Sequence, residues 1–137
     1  MLQTAVLLRL KEIKIKRIVI DLDQTIAQVR DGDYDSALPD LSIINAMRNA
    51  QSEGYQIIVF TARGMQSKNG ICEIVYKDVL PKIVKWLTQY DIPFDGVIIG
   101  KPWCGVDGFY VDDRAIRPSE FASLSLGEIK SLLSAEH

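Results

Sequence analysis

Histidine and cysteine are nearly absent from this chain. The single histidine is the last residue, His137, so a mechanism built on a histidine triad is excluded. The two cysteines, Cys72 and Cys104, are too few for a disulfide framework and do not have a metal-binding spacing. We therefore predict a reduced, cytoplasmic protein. In that setting Cys104 is expected to be a small buried apolar residue rather than a nucleophile.

The chain also lacks an excess of basic residues and any long apolar run. Its 16 Lys and Arg against 18 Asp and Glu give a net charge of −2, which offers no basic surface for nucleic acid. No apolar run approaches the roughly 20 residues of a membrane-spanning helix. The N-terminus has neither the basic start nor the small-residue cleavage site of a signal peptide. We therefore expect neither a membrane nor a nucleic acid as partner.

What the chain does contain is an alternation of short apolar runs and amphipathic segments over 137 residues, the length of one domain. Four runs predict buried strands: RIVIDLD (17–23), YQIIVF (55–60), GVIIG (96–100) and GFYVDD (108–113). Helices are predicted from Pro39 to Gly54, over residues 71–90 with a kink or restart at Pro81, and from Ser125 to Leu133. Residues 27–37 form a loop or small hairpin. Residues 1–16 are an extension, helical in character, before a domain that spans 17–137.

This order of elements predicts an α/β fold, specifically a three-layer, Rossmann-like parallel sheet flanked by helices. In such sheets ligands bind beyond the carboxyl ends of the strands, and each predicted strand is followed by polar residues. These are Asp21 and Asp23 after the first strand, Thr61 and Arg63 after the second, Lys101 after the third, and Asp112, Asp113 and Arg114 after the fourth. We expect all of them at one edge of the sheet.

The chemistry of these residue types points to phosphate. Four carboxylates in one cleft repel each other unless a divalent cation lies among them, and oxygen ligands suit a hard ion such as Mg²⁺. Thr61 and Lys101 are donors that can hold a phosphoryl group. An ionised Asp21 can attack phosphorus, while Asp23, two residues later, can protonate the leaving oxygen and afterwards activate water.

These residues resemble the motifs of the haloacid dehalogenase superfamily of phosphohydrolases. DLDQT matches its first motif, with Asp21 as the nucleophile and Asp23 as the acid–base residue. IIVFTARG resembles the second motif and contains the phosphate-binding segment Thr61, Ala62 and Arg63. GKP supplies Lys101, and FYVDD resembles the metal-binding motif, so the implied Mg²⁺ ligands are Asp21, Asp23, Asp112 and Asp113. The segment GKPWCG-DGFY-DDRA-RPSEF is similar to a bacterial subgroup of capsular polysaccharide biosynthesis phosphatases, which implies a sugar phosphate as substrate.

Two departures from the superfamily pattern affect this prediction. Only eleven positions lead from Lys101 to Asp112, too few for the helix that many relatives have there, so Lys101 should reach the site from a tight loop. Neither insertion point has room for a cap domain, since residues 24–38 offer only a flap and residues 64–96 only one helix. Relatives without a cap act on macromolecules or borrow a lid from a neighbouring subunit, and we therefore expect a homo-oligomer.

Several roles stay open at the level of sequence. Arg63 and Arg114 either bind phosphate or pair with the surplus carboxylates. Trp103 either packs in the core or stacks on a sugar. Either Asp112 or Asp113 contacts the metal directly, and the superfamily pattern favours Asp113.

The expected activity is a Mg²⁺-dependent phosphomonoesterase that works through an aspartyl-phosphate intermediate on a sugar phosphate. One alternative is a polynucleotide 3′-phosphatase, which the acidic net charge disfavours. Others are a phosphoacceptor domain that does not hydrolyse its phosphate, and a binding protein that has kept the fold without the activity.

Overall fold

The computed structural model describes residues 14–136, in which five strands and five helices are formed. We number both kinds of element in chain order. The strands are β1 (Arg17–Ile20), β2 (Ala27–Arg30), β3 (Asp33–Pro39), β4 (Gln56–Phe60) and β5 (Gly96–Ile98), and the helices are α1 (Leu41–Ser52), α2 (Cys72–Asp78), α3 (Leu80–Gln89), α4 (Pro118–Ser123) and α5 (Leu126–Ser134). The predicted extension falls mainly on residues 1–13, which lie outside the described part of the chain. None of the helices within residues 14–136 is long and apolar enough to cross a membrane.

Three of the predicted strands form a parallel sheet in the order β1-β4-β5. Val19 pairs with Ile58, and Phe60 pairs with Ile98. Because these runs are short and rich in β-branched residues, they suit a sheet with helical crossovers. The chain is therefore an α/β protein with a small parallel sheet flanked by helices, as the alternation of elements predicted.

One face of this sheet lies against the main apolar core. Ile20, Ile57 and Val59 alternate along their strands towards that face and are almost fully buried. They form one apolar cluster with residues of α1, of α3 and of the β2–β3 hairpin, the last including Ala37. On the opposite face Val19 is 60% exposed and Ile98 is 54% exposed. The expectation that every strand is buried is thus met on one face only.

The fourth predicted strand does not form. The segment GFYVDD has no strand conformation, and Phe109 and Val111 are 79% and 87% exposed. To pair in parallel with the free edge of β1, this segment would have to be connected to β5 by a crossover of a dozen or more residues that passes the intervening strand. Only ten residues separate the end of β5 at Ile98 from Phe109, and no helix lies between them. The apolar character of the segment was therefore a misleading signal.

Residues 27–37, for which the sequence predicted either a loop or a small hairpin, belong to a hairpin. Strands β2 and β3 pair antiparallel, and Asp31 and Gly32 in the turn both have positive φ, which is typical of two-residue hairpin turns. Pro39 was predicted in the first turn of a helix, but it ends β3 instead. Helix α1 begins after Asp40, whose carboxylate accepts hydrogen bonds from the backbone N–H groups of Ser42 and Ile43, a normal N-cap.

The helical region after β4 is divided in two, where one kinked or restarted helix was predicted. Helix α2 ends at Asp78, and α3 starts with Leu80. Pro81 lies in the first turn of α3, where the backbone N–H that proline lacks would have no hydrogen-bond partner within the helix. Residues 64–96 therefore hold two short helices rather than one. The indole Nε1 of Trp86 on α3 donates to the carbonyl of Ala37 at 3.0 Å, which ties this helix to the hairpin.

The C-terminal region contains one predicted and one unpredicted helix. Helix α5 has the expected capping box, in which the backbone N–H of Glu128 donates to Ser125 Oγ at 3.1 Å. The short helix α4 was missed. Its signals were Pro118 at the first helical position and Glu120, which accepts a hydrogen bond from the backbone N–H of Arg117 at 2.7 Å. Its residue Phe121 is buried in the core.

Candidate functional site

Asp21 lies directly beyond β1, where its carboxylate meets groups from two other parts of the chain. Lys101 Nζ lies 3.4 Å from Asp21 Oδ1, and the hydroxyl of Thr25 donates to Asp21 Oδ2 at 3.2 Å. The Asp21 side chain is 38% exposed, so it can be approached from solvent. Between the two aspartates, Leu22 is fully buried, which anchors the turn and directs its neighbours away from the core.

Asp23 is held by the guanidinium group of Arg63. Arg63 Nη2 lies 2.5 Å from Asp23 Oδ1, and Arg63 Nε donates to both carboxylate oxygens at 3.2 and 3.1 Å. Arg63 is almost fully buried, and its guanidinium lies over the ring of Tyr34 at 4.3 Å. The sequence left open whether Arg63 binds phosphate or pairs with a carboxylate, and in the structure Arg63 pairs with a carboxylate. A planar guanidinium with several donors fixes a carboxylate more firmly than an ammonium group can.

Thr61 and Lys101 follow neighbouring strands and are joined through the backbone. The N–H of Thr61 donates to Ile98 O at 3.0 Å, and the N–H of Lys101 donates to Thr61 O at 3.2 Å. Gly100, with φ of 86°, makes the tight turn that brings Lys101 back to the sheet edge, as predicted. The hydroxyl of Thr61 is buried and accepts a hydrogen bond from the backbone N–H of Arg63 at 3.0 Å. Ala62 lies between them and is half-buried.

The residues predicted after the fourth strand do not follow a strand. Asp112, Asp113 and Arg114 are in an exposed loop, where the carboxylate of Asp112 accepts a hydrogen bond from the backbone N–H of Arg114 at 2.8 Å. The structure thus places Asp21 against Lys101 and Asp23 against Arg63, and hydrogen bonds join Thr61 to both Arg63 and Lys101.

The contacts of Asp21 and Asp23 affect their predicted role as Mg²⁺ ligands. Asp21 and Asp23 are oxygen donors of the kind that Mg²⁺ prefers, but each carboxylate already contacts a cation, Lys101 or Arg63. Within residues 14–136 no group of three or more His, Cys, Asp or Glu side chains could hold a metal ion. We assign no chemical step to a metal in this geometry, and the four predicted carboxylate ligands stay a prediction.

The loop after Lys101 contributes an aromatic group that sequence reasoning missed. The ring of Tyr110 lies 4.3 Å from Lys101 Nζ, and its hydroxyl donates to Pro102 O at 2.6 Å. Burial, together with the neighbouring thiol of Cys104, raises the pKa of Tyr110 above its ordinary value of 10.0. Trp103 is 45% exposed, so of the two roles left open for it the structure does not support packing in the core. Cys104 is only half-buried rather than a core residue.

A cavity of about 600 Å³ opens beside Arg63, between the hairpin and α3. Its wall includes the hairpin tip with Tyr34, as well as Lys68, Lys82 and Lys85. Neither Asp21 nor Lys101 lines this cavity. Asp23 and Thr61 do not line it either, so Arg63 is the residue that the cavity and this group of side chains share. No sequence pattern indicated it, because its walls come from segments far apart in the chain.

The fold and the site together define a class: an α/β protein that gathers two aspartates, a threonine and two basic residues at the carboxyl edge of a parallel sheet. No protein-family model matches the chain, and a search of curated proteins gives no match either. Among solved structures, the chain is similar to the crystal structure of a structural-genomics target from Vibrio cholerae, with 43% sequence identity and a TM-score of 0.87. The similarity covers 90% of this chain and 100% of the other. The chain belongs to the same family as this Vibrio cholerae protein.

Proposed function

We propose that this protein is a phosphomonoesterase of the haloacid dehalogenase type, with a three-layer Rossmann-like domain that lacks a cap. The observation that carries the proposal is the position of Asp21 and Asp23. The two carboxylates come from one strand end, yet Asp21 faces Lys101 and Asp23 faces Arg63. Two adjacent carboxylates in different surroundings are suited to two different chemical roles.

The first proposed step transfers the phosphoryl group to the protein. An oxygen of Asp21 attacks phosphorus, and the bond between phosphorus and the leaving oxygen breaks. Protonated Asp23 gives its proton to that oxygen, so the product leaves as a neutral hydroxyl. Lys101, 3.4 Å from Asp21, supplies positive charge next to the phosphoryl oxygens. In addition to Lys101, the buried hydroxyl of Thr61 is proposed to contact the phosphoryl group.

The second step hydrolyses the aspartyl phosphate. Asp23, now ionised, takes a proton from a water molecule, and the water oxygen attacks phosphorus. The bond between phosphorus and the Asp21 oxygen then breaks, which releases inorganic phosphate and restores both carboxyl groups. Arg63 is a positioning residue in this scheme, because its guanidinium holds the Asp23 carboxylate through three contacts of 3.2 Å or less.

The proposal includes a requirement for Mg²⁺ and a sugar phosphate as substrate. The metal requirement rests on the resemblance of the motifs that contain Asp21, Asp23, Asp112 and Asp113 to metal-binding motifs, and a bound ion would neutralise charge on the phosphoryl group. We expect dialysis against excess chelator to stop hydrolysis and Mg²⁺ to restore it. We also expect Mg²⁺ alone to raise the thermal midpoint of unfolding. Full activity in chelator, with no thermal shift on adding Mg²⁺, would refute the metal requirement.

Hydrolysis of p-nitrophenyl phosphate by the wild-type protein and by Asp21→Asn tests the proposed function. The exchange is nearly isosteric but removes the nucleophile, so we expect the rate to fall by roughly 10³-fold or more. Asp31→Asn is the matched control, because Asp31 lies in the hairpin turn with φ of 52°, a conformation that Asn accepts equally well. An Asp21→Asn protein that retains more than a few per cent of the wild-type rate would exclude the covalent mechanism.

The same experiment separates the proposed phosphatase from a phosphoacceptor domain. A phosphatase turns over many substrate molecules and accumulates little phosphoprotein. A phosphoacceptor domain would label Asp21 once and then stop. Acid-quenched mass spectrometry after mixing with substrate measures the phosphorylated fraction, and a long-lived adduct without turnover would favour the phosphoacceptor.

A further inference from the structure

We propose that Tyr110 is a positioning residue for Lys101. The ring of Tyr110 holds the Lys101 ammonium group beside Asp21, and the hydroxyl of Tyr110 closes the loop that follows Lys101. This inference rests on the proposed phosphatase function and adds to its site a residue to which the sequence motifs gave no role.

The Lys101 ammonium group lies close to one carboxylate and to two aromatic rings. Lys101 Nζ is 3.4 Å from Asp21 Oδ1, 4.3 Å from the centre of the Tyr110 ring and 5.9 Å from the centre of the Phe60 ring. The face of an aromatic ring attracts a cation up to a distance of about 6 Å. Of the two rings, Tyr110 therefore makes the stronger contact, and Phe60 lies at the limit of this range.

The carboxylate of Asp21 does not fix this ammonium group by itself. A strong hydrogen bond between an ammonium group and a carboxylate is about 2.7–2.9 Å long, whereas the distance from Lys101 Nζ to Asp21 Oδ1 is 3.4 Å. A lysine side chain has a long, flexible stem and loses much rotational freedom when it is held in one conformation. The Tyr110 ring supplies attraction that the longer carboxylate contact lacks.

An aromatic ring restrains Lys101 in a way that suits phosphoryl transfer. The ring face attracts the positive charge through its quadrupole, but it does not neutralise that charge as a second carboxylate would. It also accepts no strong hydrogen bond from the ammonium group, which has several N–H donors. Lys101 is therefore held in place while its charge and its donors stay available to the phosphoryl oxygens.

Tyr110 is placed beside Lys101 by contacts within one short loop. The Tyr110 hydroxyl donates to Pro102 O at 2.6 Å, which joins the two ends of the loop. In the middle of the loop, a Cβ on Gly108 would lie 1.9 Å from the carbonyl oxygen of Cys104, so this close backbone approach requires glycine. The loop is thus closed on itself, and its closure sets the position of the Tyr110 ring.

Substitutions separate the ring of Tyr110 from its hydroxyl. Tyr110→Phe keeps the ring, whereas Tyr110→Leu removes both groups. We expect kcat/KM for p-nitrophenyl phosphate to fall by about tenfold in Tyr110→Leu, the effect of a partly desolvated cation–π contact, and by no more than about twofold in Tyr110→Phe. Phe109→Leu is the matched control, because Phe109 is the neighbouring exposed aromatic residue, and it should leave the rate unchanged.

A double-mutant cycle shows whether Tyr110 acts through Lys101. In a Lys101→Met background, the further change Tyr110→Leu should alter kcat/KM by less than about twofold. The loss in Tyr110→Leu alone should be equal for p-nitrophenyl phosphate and for a sugar phosphate, because Lys101 serves the phosphoryl group that both substrates share. A loss that persists in the Lys101→Met background, or that differs between the two substrates, contradicts the positioning of Lys101 by Tyr110.

Chemical labelling tests the same contact without relying on catalysis. The rate at which N-hydroxysuccinimidyl acetate acetylates Lys101 is measured by mass spectrometry, with Lys130, exposed on α5, as the internal reference. We expect this rate to rise roughly threefold in Tyr110→Leu, because the ring no longer covers the ammonium group, and to stay unchanged in Tyr110→Phe and Phe109→Leu.

The labelling result distinguishes a failure of this inference from a failure of the proposed function. Absence of p-nitrophenyl phosphate hydrolysis by the wild-type protein would contradict the phosphatase, and the labelling rates would still report the contact. An unchanged labelling rate in a folded variant without the ring would refute the role of Tyr110. Thermal unfolding checks that Tyr110→Leu is folded, and Tyr110→Gln, which also removes the ring, takes its place if it is not.

Discussion

Asp23 and Arg63 are the residues on which the interpretation of this site depends most. A buried guanidinium beside a carboxylate stays in place only when its donors are used, and Arg63 uses three contacts to Asp23 together with stacking on Tyr34. Removing one partner of such a pair leaves the other uncompensated, which is more costly than the pair itself is favourable. In our proposal Arg63 therefore orients Asp23, and Thr61 and Lys101 are the main phosphate ligands.

Asp23→Asn should damage the reaction selectively, because its carboxyl group serves the leaving oxygen rather than phosphorus. A good leaving group such as p-nitrophenolate departs without a proton, whereas a sugar alkoxide does not. We expect the phosphorylation step to slow by roughly 100-fold or more for a sugar phosphate, and by much less for p-nitrophenyl phosphate.

Single-turnover kinetics with both substrates on the wild-type and Asp23→Asn proteins measures this difference. Circular dichroism of the variant is the control for folding, because Arg63 loses a charged partner. Equal losses for good and poor leaving groups would count against Asp23 as the acid.

At the level of elements, the hairpin and α1 illustrate how local signals fix a boundary. Leu38 and Pro39 end β3, and Asp40 then caps the helix through the N–H groups of Ser42 and Ile43. The pKa of Asp40 lies below its ordinary value of 3.8, chiefly because the Ser42 side chain donates a hydrogen bond to its carboxylate. The lowered pKa means that the folded state prefers the ionised cap.

Asp40→Ala should therefore destabilise the protein in a pH-dependent way. With the folded pKa below the unfolded one, the contribution of Asp40 is complete above the ordinary pKa of 3.8 and is lost as pH falls through the folded value. We expect a loss of about 1 kcal/mol at pH 7 and a smaller difference from wild type in strong acid. Asp40→Asn, which keeps a capping oxygen, should lose less.

Urea unfolding followed by tryptophan fluorescence at neutral and acidic pH checks this expectation, since Trp86 is buried. An Asp40→Ala protein as stable as wild type at pH 7, or a loss that does not change with pH, would show that Asp40 is not the cap that holds α1.

At the level of the whole molecule, the face of the parallel sheet opposite the core exposes apolar side chains to solvent. Val19 and Ile98 lie on this face and are each more than half exposed, while the opposite face packs on the core. Phe109 and Val111, in the loop after β5, are exposed too. Apolar surface of this kind usually marks an interface, and a second copy of the chain is the simplest occupant.

We therefore predict a homodimer that forms through this face of the sheet. Val19→Glu should convert it to a monomer at micromolar concentration, because a charge would be buried in an apolar interface. Leu41→Glu is the control, since Leu41 is 68% exposed in the first turn of α1, where an acid is favourable. Light scattering on both variants and on a chain that starts at Lys16 gives the oligomeric state. A strictly monomeric full-length protein would contradict the prediction, and dimers lost only in the shortened chain would assign the interface to the N-terminal segment.

The sequence by itself determined the elements whose signals are local. The β-branched runs identified β1, β4 and β5, the capping pair Ser125 and Glu128 identified α5, and the alternation of elements identified the parallel sheet. Because the carboxyl ends of parallel strands meet at one edge, the sequence also predicts that Asp21, Thr61 and Lys101 lie at the same edge of the sheet.

Only the tertiary structure decided the features that depend on chain length and on contacts between distant segments. GFYVDD has the composition of a strand, but the ten residues before Phe109 are too few for a parallel crossover, so the segment stays a loop in which Asp112 and Asp113 are exposed. Whether Arg63 contacts phosphate or a carboxylate was open in the sequence, and in the structure Arg63 packs on Tyr34 and pairs with Asp23. The cavity with Lys82 and Lys85 arises because Trp86 bonds to Ala37, 49 positions earlier, a contact that no local pattern encodes.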